Sequence, residues 1–113
     1  MHELGLTAEM VDIVSAKARE AGAGRVTSIT VSIGSLSGVE ADAVEFCFSV
    51  VAKGTPAEGA RLVVERVPLT VKCGDCGRTS ENGENLPFCP KCNSAQVEIA
   101  AGREFLIKSM EVD

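Results

Sequence analysis

Apolar and polar positions along the chain change period several times, and each change marks an element. Residues 7–21, TAEMVDIVSAKAREA, place Met10, Ile13, Val14 and Ala21 on one face at helical spacing, with Lys17 and Ala18 between them. That pattern predicts an amphipathic helix with Thr7 as N-cap, stopped by Gly22 to Gly24. RVTSITVSIG then alternates: Ile29, Val31 and Ile33 point one way, and Ser28, Thr30 and Ser32 the other, as in a half-buried strand. GSLSG at 34–38 is a turn. Residues 39–52 return to helical period with Val44, Cys47, Phe48 and Val51 on one face, ending before Gly54 and Pro56. ARLVVERVPLTV reads as a second strand and REFLIKSMEV as a third, the last breaking alternation near Lys108, where a bulge is expected.

Between the last two strands the pattern fails. Residues 72–96 carry four of the five cysteines and three asparagines, Asn82, Asn85 and Asn93, with few branched aliphatics. Such a stretch lacks the apolar surface for an ordinary core. The expectation is therefore an α+β protein: a small three-stranded sheet with two helices on one face, formed by residues 1–70 and completed by a C-terminal strand in 100–113. Residues 71–99 are an inserted four-cysteine zinc-ribbon subdomain.

Composition narrows the function. A chain of 113 residues, 45% hydrophobic and 24% charged, suits one soluble domain with a satellite. With no Trp or Tyr and four Phe, its core is aliphatic. The net charge of −5 disfavours a nucleic-acid partner. No run is long and apolar enough for a membrane span, and no signal-peptide pattern precedes the first helix, so a cytoplasmic, reducing location is expected. Cysteines there are more often metal ligands or inert thiols than disulfides.

The insert reads KCGDCGRTSENGENLPFCPKCN. Cys73 and Cys76 form one C-x-x-C and Cys89 and Cys92 another. Two such knuckles supply four soft ligands in a tetrahedron, the closed arrangement of structural zinc, with Gly77 and Asn93 relieving the turns that follow. Paired redox dithiols are disfavoured because they would leave this polar insert without a core. A four-thiolate iron site shares the same ligand chemistry and would show as colour. Lys72, Arg78 and Lys91 against Asp75, Glu81, Glu84 and Glu98, with Phe88 the single aromatic, give no footprint for nucleic acid. Cys47 lies on the apolar face of the second helix, where a thiol packs as a small hydrophobe.

His2 is the only histidine, directly behind Met1. The Met1 amine, the His2 amide nitrogen and the His2 Nδ1 can close a five- and a six-membered chelate ring on one ion, and nitrogen-rich planar sites suit Ni(II) and Cu(II). Glu3 adds a carboxylate or a further backbone nitrogen. Any chain starting Met-His offers these atoms, so the motif alone is weak.

The start MHE, the turn SIGSLSGVE, the pairs CGDC and CPKC and the ending MEVD together resemble the HypA/HybF hydrogenase nickel-incorporation proteins over the whole chain. The resemblance implies a metallochaperone that holds Ni(II) through Met1, His2 and Glu3. Glu40 would be either a further ligand or a helix-start carboxylate. It also implies structural Zn(II) on Cys73, Cys76, Cys89 and Cys92, a HypB-type GTPase as partner and the large subunit of [NiFe] hydrogenase as recipient; some members also serve urease. An enzyme is disfavoured by inventory: there is no phosphate loop, and the lone terminal histidine cannot complete a nucleophile–base pair within the fold. The competing readings are a zinc-ribbon protein-interaction module without a nickel role and a thiol redox protein.

Overall fold

The computed structural model describes residues 2–83 and 86–113, the side chain of His2 excepted. Among these residues the elements are α1 (His2–Glu20), β1 (Val26–Gly34), α2 (Ala41–Val51), β2 (Arg61–Val67), β3 (Thr70–Cys73), β4 (Thr79–Glu81), β5 (Val97–Ala101) and β6 (Phe105–Val112). They build two three-stranded sheets, ordered β2-β1-β6 and β4-β3-β5.

Helix α1 begins five residues earlier than its apolar pattern suggested. Thr7 is not its N-cap: the Thr7 hydroxyl donates to the Glu3 carbonyl one turn back, at 2.6 Å, a bond made inside a helix. The buried face is Thr7, Met10, Val11, Val14, Ser15 and Ala18, whereas Ile13 and Ala21 are exposed. The sequence reading rotated the face by about one position because Thr7 and Ser15 are polar by composition yet lie inward. The stop is as expected. Gly22 takes φ +72°, and the Ala23 amide reaches the Ala18 carbonyl at 2.9 Å, closing a glycine C-cap.

Strand β1 is central. It pairs in parallel with β2, Ile29 opposite Leu62 and Val31 opposite Val64, and antiparallel with β6. Ile29, Val31 and Ile33 join Met10, Val14, Val44 and Phe48 in one aliphatic cluster, so α1 and α2 cover the same face of this sheet. In α2 the predicted residues Val44, Cys47 and Phe48 are buried and Val51 is partly so. The bulge expected near Lys108 is present: Thr30 pairs with Ser109 and Val31 with Ile107, leaving Lys108 unopposed.

The second predicted strand is in fact two. Pro68 brings no amide to a ladder, and there the chain leaves β2 and enters β3 of the other sheet. Leu69, fully buried, occupies the crossing, and its carbonyl accepts the Asn82 amide at 2.8 Å. Strands β4 and β5 were not foreseen. They flank β3 with three to four paired positions each, too short for a pattern to register.

The turn after β1 holds both tethers of this second sheet. The Ser35 amide donates to Val67 at 2.9 Å and the Leu36 amide to Gly102 at 2.7 Å. Gly34 and Gly102 approach so closely that a Cβ on Gly34 would lie 2.2 Å from the Gly102 carbonyl carbon. Gly34 has an ordinary strand conformation, so the requirement is for space. Gly34→Ala is expected to cost about 3 kcal/mol through backbone displacement, read as a lowered urea midpoint with an unchanged slope.

Candidate metal centres

The two cysteine knuckles repeat one local geometry. After Cys73 the chain turns so that the Gly77 amide donates to the Cys73 carbonyl (3.1 Å) and the Cys73 amide to Arg78 (2.8 Å). After Cys89 the Asn93 amide donates to the Cys89 carbonyl (2.8 Å) and the Cys89 amide to Ser94 (2.9 Å). Each turn closes on a residue in the left-handed region, Gly77 at φ +75° and Asn93 at φ +63°. These are the two positions singled out in the sequence, and Asn tolerates that conformation better than most side chains.

The turns bring four sulfurs together. All lie within 4.8 Å of one another, with Cys73 Sγ 3.6 Å from Cys92 Sγ and Cys76 Sγ 3.7 Å from Cys89 Sγ. A tetrahedral ion with Zn–S bonds of about 2.3 Å requires sulfur–sulfur edges of about 3.8 Å, so the donors already stand close to the spacing that zinc imposes. The amides of Asp75 and Cys76 both point at Cys73 Sγ, at 3.3 Å each. Cys73 and Cys89 are buried, while Cys76 and Cys92 reach the surface. With four protein sulfurs grouped together and no fifth donor grouped with them among the described residues, the cluster fits a closed structural zinc site.

Two supports escaped the sequence reading. Asn82, nearly fully buried, donates its side-chain amide to the carbonyls of Leu86 (2.5 Å) and Phe88 (3.0 Å), fastening the stretch that leads into Cys89. The Ser94 hydroxyl donates to the Asp75 carboxylate, stitching the knuckles to each other. A buried asparagine is visible only once the packing is known. Glu84 and Asn85, which the sequence counted with this insert, lie outside the described residues.

The thiols differ in acidity. Hydrogen bonding from the Cys76 amide, opposed by burial and reinforced by the Asp75 amide, lowers Cys73 to about 6. The Cys92 and Lys91 amides lower Cys89 in the same way. Cys92 feels a lowering bond from Ser94, but the bond it shares with Cys73 and its own burial outweigh this and push it up to about 12. Before metal enters, Cys73 and Cys89 are therefore the more acidic thiols and Cys92 keeps its proton at neutral pH. Zinc loading near pH 7 should expel that proton. Calorimetric titration in buffers of different ionisation enthalpy should show proton release, and a heat independent of the buffer would contradict this ordering.

At the other end of the chain, Met1 and the His2 side chain lie outside the described residues. The backbone from His2 onward is helical. Glu3 is brought to the start of α2, where its carboxylate Oε2 accepts the Glu40 amide at 3.4 Å across 37 residues of sequence. Glu40 is the N-cap residue of α2, with extended φ −89° and ψ 123°, and its own side chain caps nothing. Glu3 thus adds a carboxylate to a helix start that already carries Asp42 in its first turn, in keeping with the preference of helix N-termini for negative charge. Glu3 and Glu40, two of the residues singled out from the sequence, are neighbours in the fold. Cys47 is buried on α2 among apolar side chains and takes no part in either group.

Comparison with known proteins bears on the fold and the kinship of the chain. Residues 1–112 match the family model for HypA, described as hydrogenase/urease nickel incorporation, metallochaperone. A hydrogenase maturation factor HypA of Dehalococcoides mccartyi strain CBDB1 is 43% identical over 113 residues, covering 100% of this chain and 95% of the relative. The HypA of Aquifex aeolicus is 40% identical, covering 100% and 98%. A solution structure of HypA superimposes with a TM-score of 0.74 at 23% identity, over 99% of this chain and 96% of that one. The Ni metallochaperone HypA from Helicobacter pylori gives 0.70 at 21% identity, over 97% and 96%. At those identities the structures speak for the fold, while the family model and the closer sequences fix the kinship: this chain belongs to the HypA family of hydrogenase maturation factors and nickel metallochaperones.

Proposed function

We propose that this chain is a nickel metallochaperone that takes up Ni(II) at its N-terminus and passes it on during maturation of [NiFe] hydrogenase. The ligands in this reading are the Met1 amine, the amide nitrogen and Nδ1 of His2, and the backbone of Glu3, with Glu40 beside them. The contact between the Glu3 carboxylate and the Glu40 amide carries the reading most, because it joins two candidate residues far apart in sequence at the first turn of the chain. The His2 amide belongs to that first turn, where a helix provides no acceptor for its own N–H groups. A nickel ion that replaces the amide proton therefore breaks no helical hydrogen bond. The amide anion so formed sits at the positive end of the helix dipole.

Such a site suits a carrier. Its ligands come from one chain end and can leave the ion singly, so a recipient can strip them in sequence. The reading includes no catalysis by the chain itself, a cytoplasmic location, a HypB-type GTPase as partner and the hydrogenase large subunit as recipient. No helix among the described residues is long and apolar enough to cross a membrane. Zn(II) on Cys73, Cys76, Cys89 and Cys92 is structural in this scheme. Residues 71–99 form its subdomain, inserted into a nickel-binding unit of residues 1–70 and 100–113.

The test is a nickel titration of protein carrying no added N-terminal residues, with zinc quantified before and after. One equivalent of nickel bound without loss of zinc is expected. Nickel that binds only by displacing zinc would instead leave a zinc-ribbon interaction module as the better description.

A further inference from the structure

Of the asparagines Asn82, Asn85 and Asn93, only Asn82 is followed by glycine. An asparagine carries an electrophile, its side-chain carbonyl carbon Cγ, within one ring closure of the next backbone nitrogen. When that nitrogen attacks Cγ, a five-membered succinimide forms. Glycine puts no side chain in the way and lets the backbone bend to the geometry the ring needs. Asn82–Gly83 is thus the pair in this chain most open to modifying itself.

The fold restrains one partner and leaves the other free. Gly83 is exposed. A Cβ built on it would meet nothing within 4 Å, and its φ lies outside the left-handed region. Asn82 is 2% exposed. Its backbone amide donates to the Leu69 carbonyl at 2.8 Å, and its side-chain Nδ2 donates to the carbonyls of Leu86 and Phe88. Nδ2 is the leaving group of the reaction, so both of its bonds must break before it departs as ammonia. The same burial keeps water from Cγ. This protection exists only while the second sheet is folded. Leu69 and Val71 are the buried aliphatic side chains around it among the described residues. They are too few to order it without an ion on the four cysteines.

We propose that Asn82 is a modification site gated by the metal: the zinc-loaded chain keeps the asparagine, and the zinc-free chain converts it to aspartate and isoaspartate. The proposal rests on the structural-zinc reading of the cysteines. In the zinc-free segment the Gly83 nitrogen gives its proton to solvent and bonds to Cγ. The Cγ–Nδ2 bond breaks, and the nitrogen leaves as ammonia. Water then opens the ring at either carbonyl. One water enters and one ammonia leaves, with no oxidant or reductant. Neither product can donate as Nδ2 did. Aspartate sets a carboxylate against the Leu86 and Phe88 carbonyls, acceptor against acceptor, in a buried place. Isoaspartate adds a methylene to the backbone beside β4. Both leave the stretch into Cys89 unfastened. Zinc-free protein therefore passes from a form that reloads the metal to one that does not.

The test incubates zinc-loaded and chelator-stripped protein side by side at mildly alkaline pH under a reductant, with zinc quantified at the start. Peptide mass spectrometry follows the conversion of residue 82. Stripped protein should convert at least about tenfold faster than loaded protein. Gly83→Ala keeps every Asn82 bond and crowds the attacking nitrogen, so it should slow the stripped protein's reaction about tenfold or more. It should also preserve zinc reloading over a period in which the parent loses it. Asn82→Asp should bind zinc about 10- to 100-fold more weakly than the parent. Equal conversion in loaded and stripped protein would overturn the proposal. So would stripped protein that retains Asn82, or converted protein that reloads zinc as the parent does. A starting protein without zinc would overturn the structural-zinc reading, and the gating with it.

Discussion

Cys73→Ser releases the metal and melts the second sheet while the first stays folded. Strands β3, β4 and β5 have four, three and five residues. The buried groups around them are Leu69, Val71, Cys73, Asn82 and Cys89, and none belongs to the main aliphatic cluster. Burial of two aliphatic side chains offers roughly 3–6 kcal/mol, against an ordering cost of about 1–2 kcal/mol for every backbone residue fixed. The metal must make up the difference, and structural zinc contributes on the order of 10 kcal/mol to sites of this kind. Three thiolates and a hydroxyl cannot hold it as tightly. Zinc content should therefore fall to near zero, and amide signals of Val71, Ser80 and Ile99 should collapse towards random-coil positions. Signals from Ile29, Val31 and Val44 should remain, because their cluster rests on α1, α2 and the β2-β1-β6 sheet. The same pattern is expected for Cys92→Ser, although Cys92 is exposed, since either loss opens the tetrahedron. Stoichiometric zinc in either variant would sink the four-cysteine assignment. Acid should do what the substitution does. Zinc retention should decline as pH falls, because protons compete with the ion for the four thiolates.

His2→Ala is expected to abolish specific nickel binding and to leave zinc content and melting behaviour unchanged. Among the described residues the main core begins at Met10, with Thr7 buried beside it, and in this reading the substitution removes one ligand. Its imidazole must be neutral to bind. Nickel affinity should accordingly weaken as pH falls through the ordinary histidine range near 6.5. Glu40→Ala should do much less. Its side chain makes no cap bond and the Glu3 carboxylate already serves the α2 start, so the helix loses roughly 0.5 kcal/mol of dipole interaction. Isothermal titration of nickel into the two variants ranks them; a Glu40→Ala loss equal to that of His2→Ala would make Glu40 an obligatory ligand.

The elements were readable where the period was long and the core one-sided. β1 alternates in sequence from Ile29 to Ile33 and lies against helices on one face, so Ile29, Val31 and Ile33 were named correctly, while the buried Val26, set off by a register shift, was not. The bulge at Lys108 showed as a break in the same alternation. The α1 face was misread because Thr7 and Ser15 are buried polar residues, and periodicity counts only apolar ones. Strands β4 and β5 gave no signal because the order of the second sheet comes from the cysteine cluster and from Asn82, which no hydropathy pattern encodes. The cysteine cluster was the most legible feature. Spacing of two within each pair fixes both sulfurs of a knuckle, and a glycine and an asparagine stand where the turns need a positive φ. The meeting of Glu3 with Glu40 was not legible from the residues themselves; it depends on α1 and α2 packing side by side.

The most direct test of nickel capture at the chain end is a single residue placed ahead of Met1. An added glycine leaves every side chain in place, His2 included, and moves only the amine, so that it can no longer close a five-membered ring with the His2 amide. Nickel titration of this variant against the parent, at equal zinc content, should show affinity reduced at least tenfold with the fold intact, a weakening smaller than that of His2→Ala. Equal affinity in the two proteins would contradict capture of nickel by the amine of Met1.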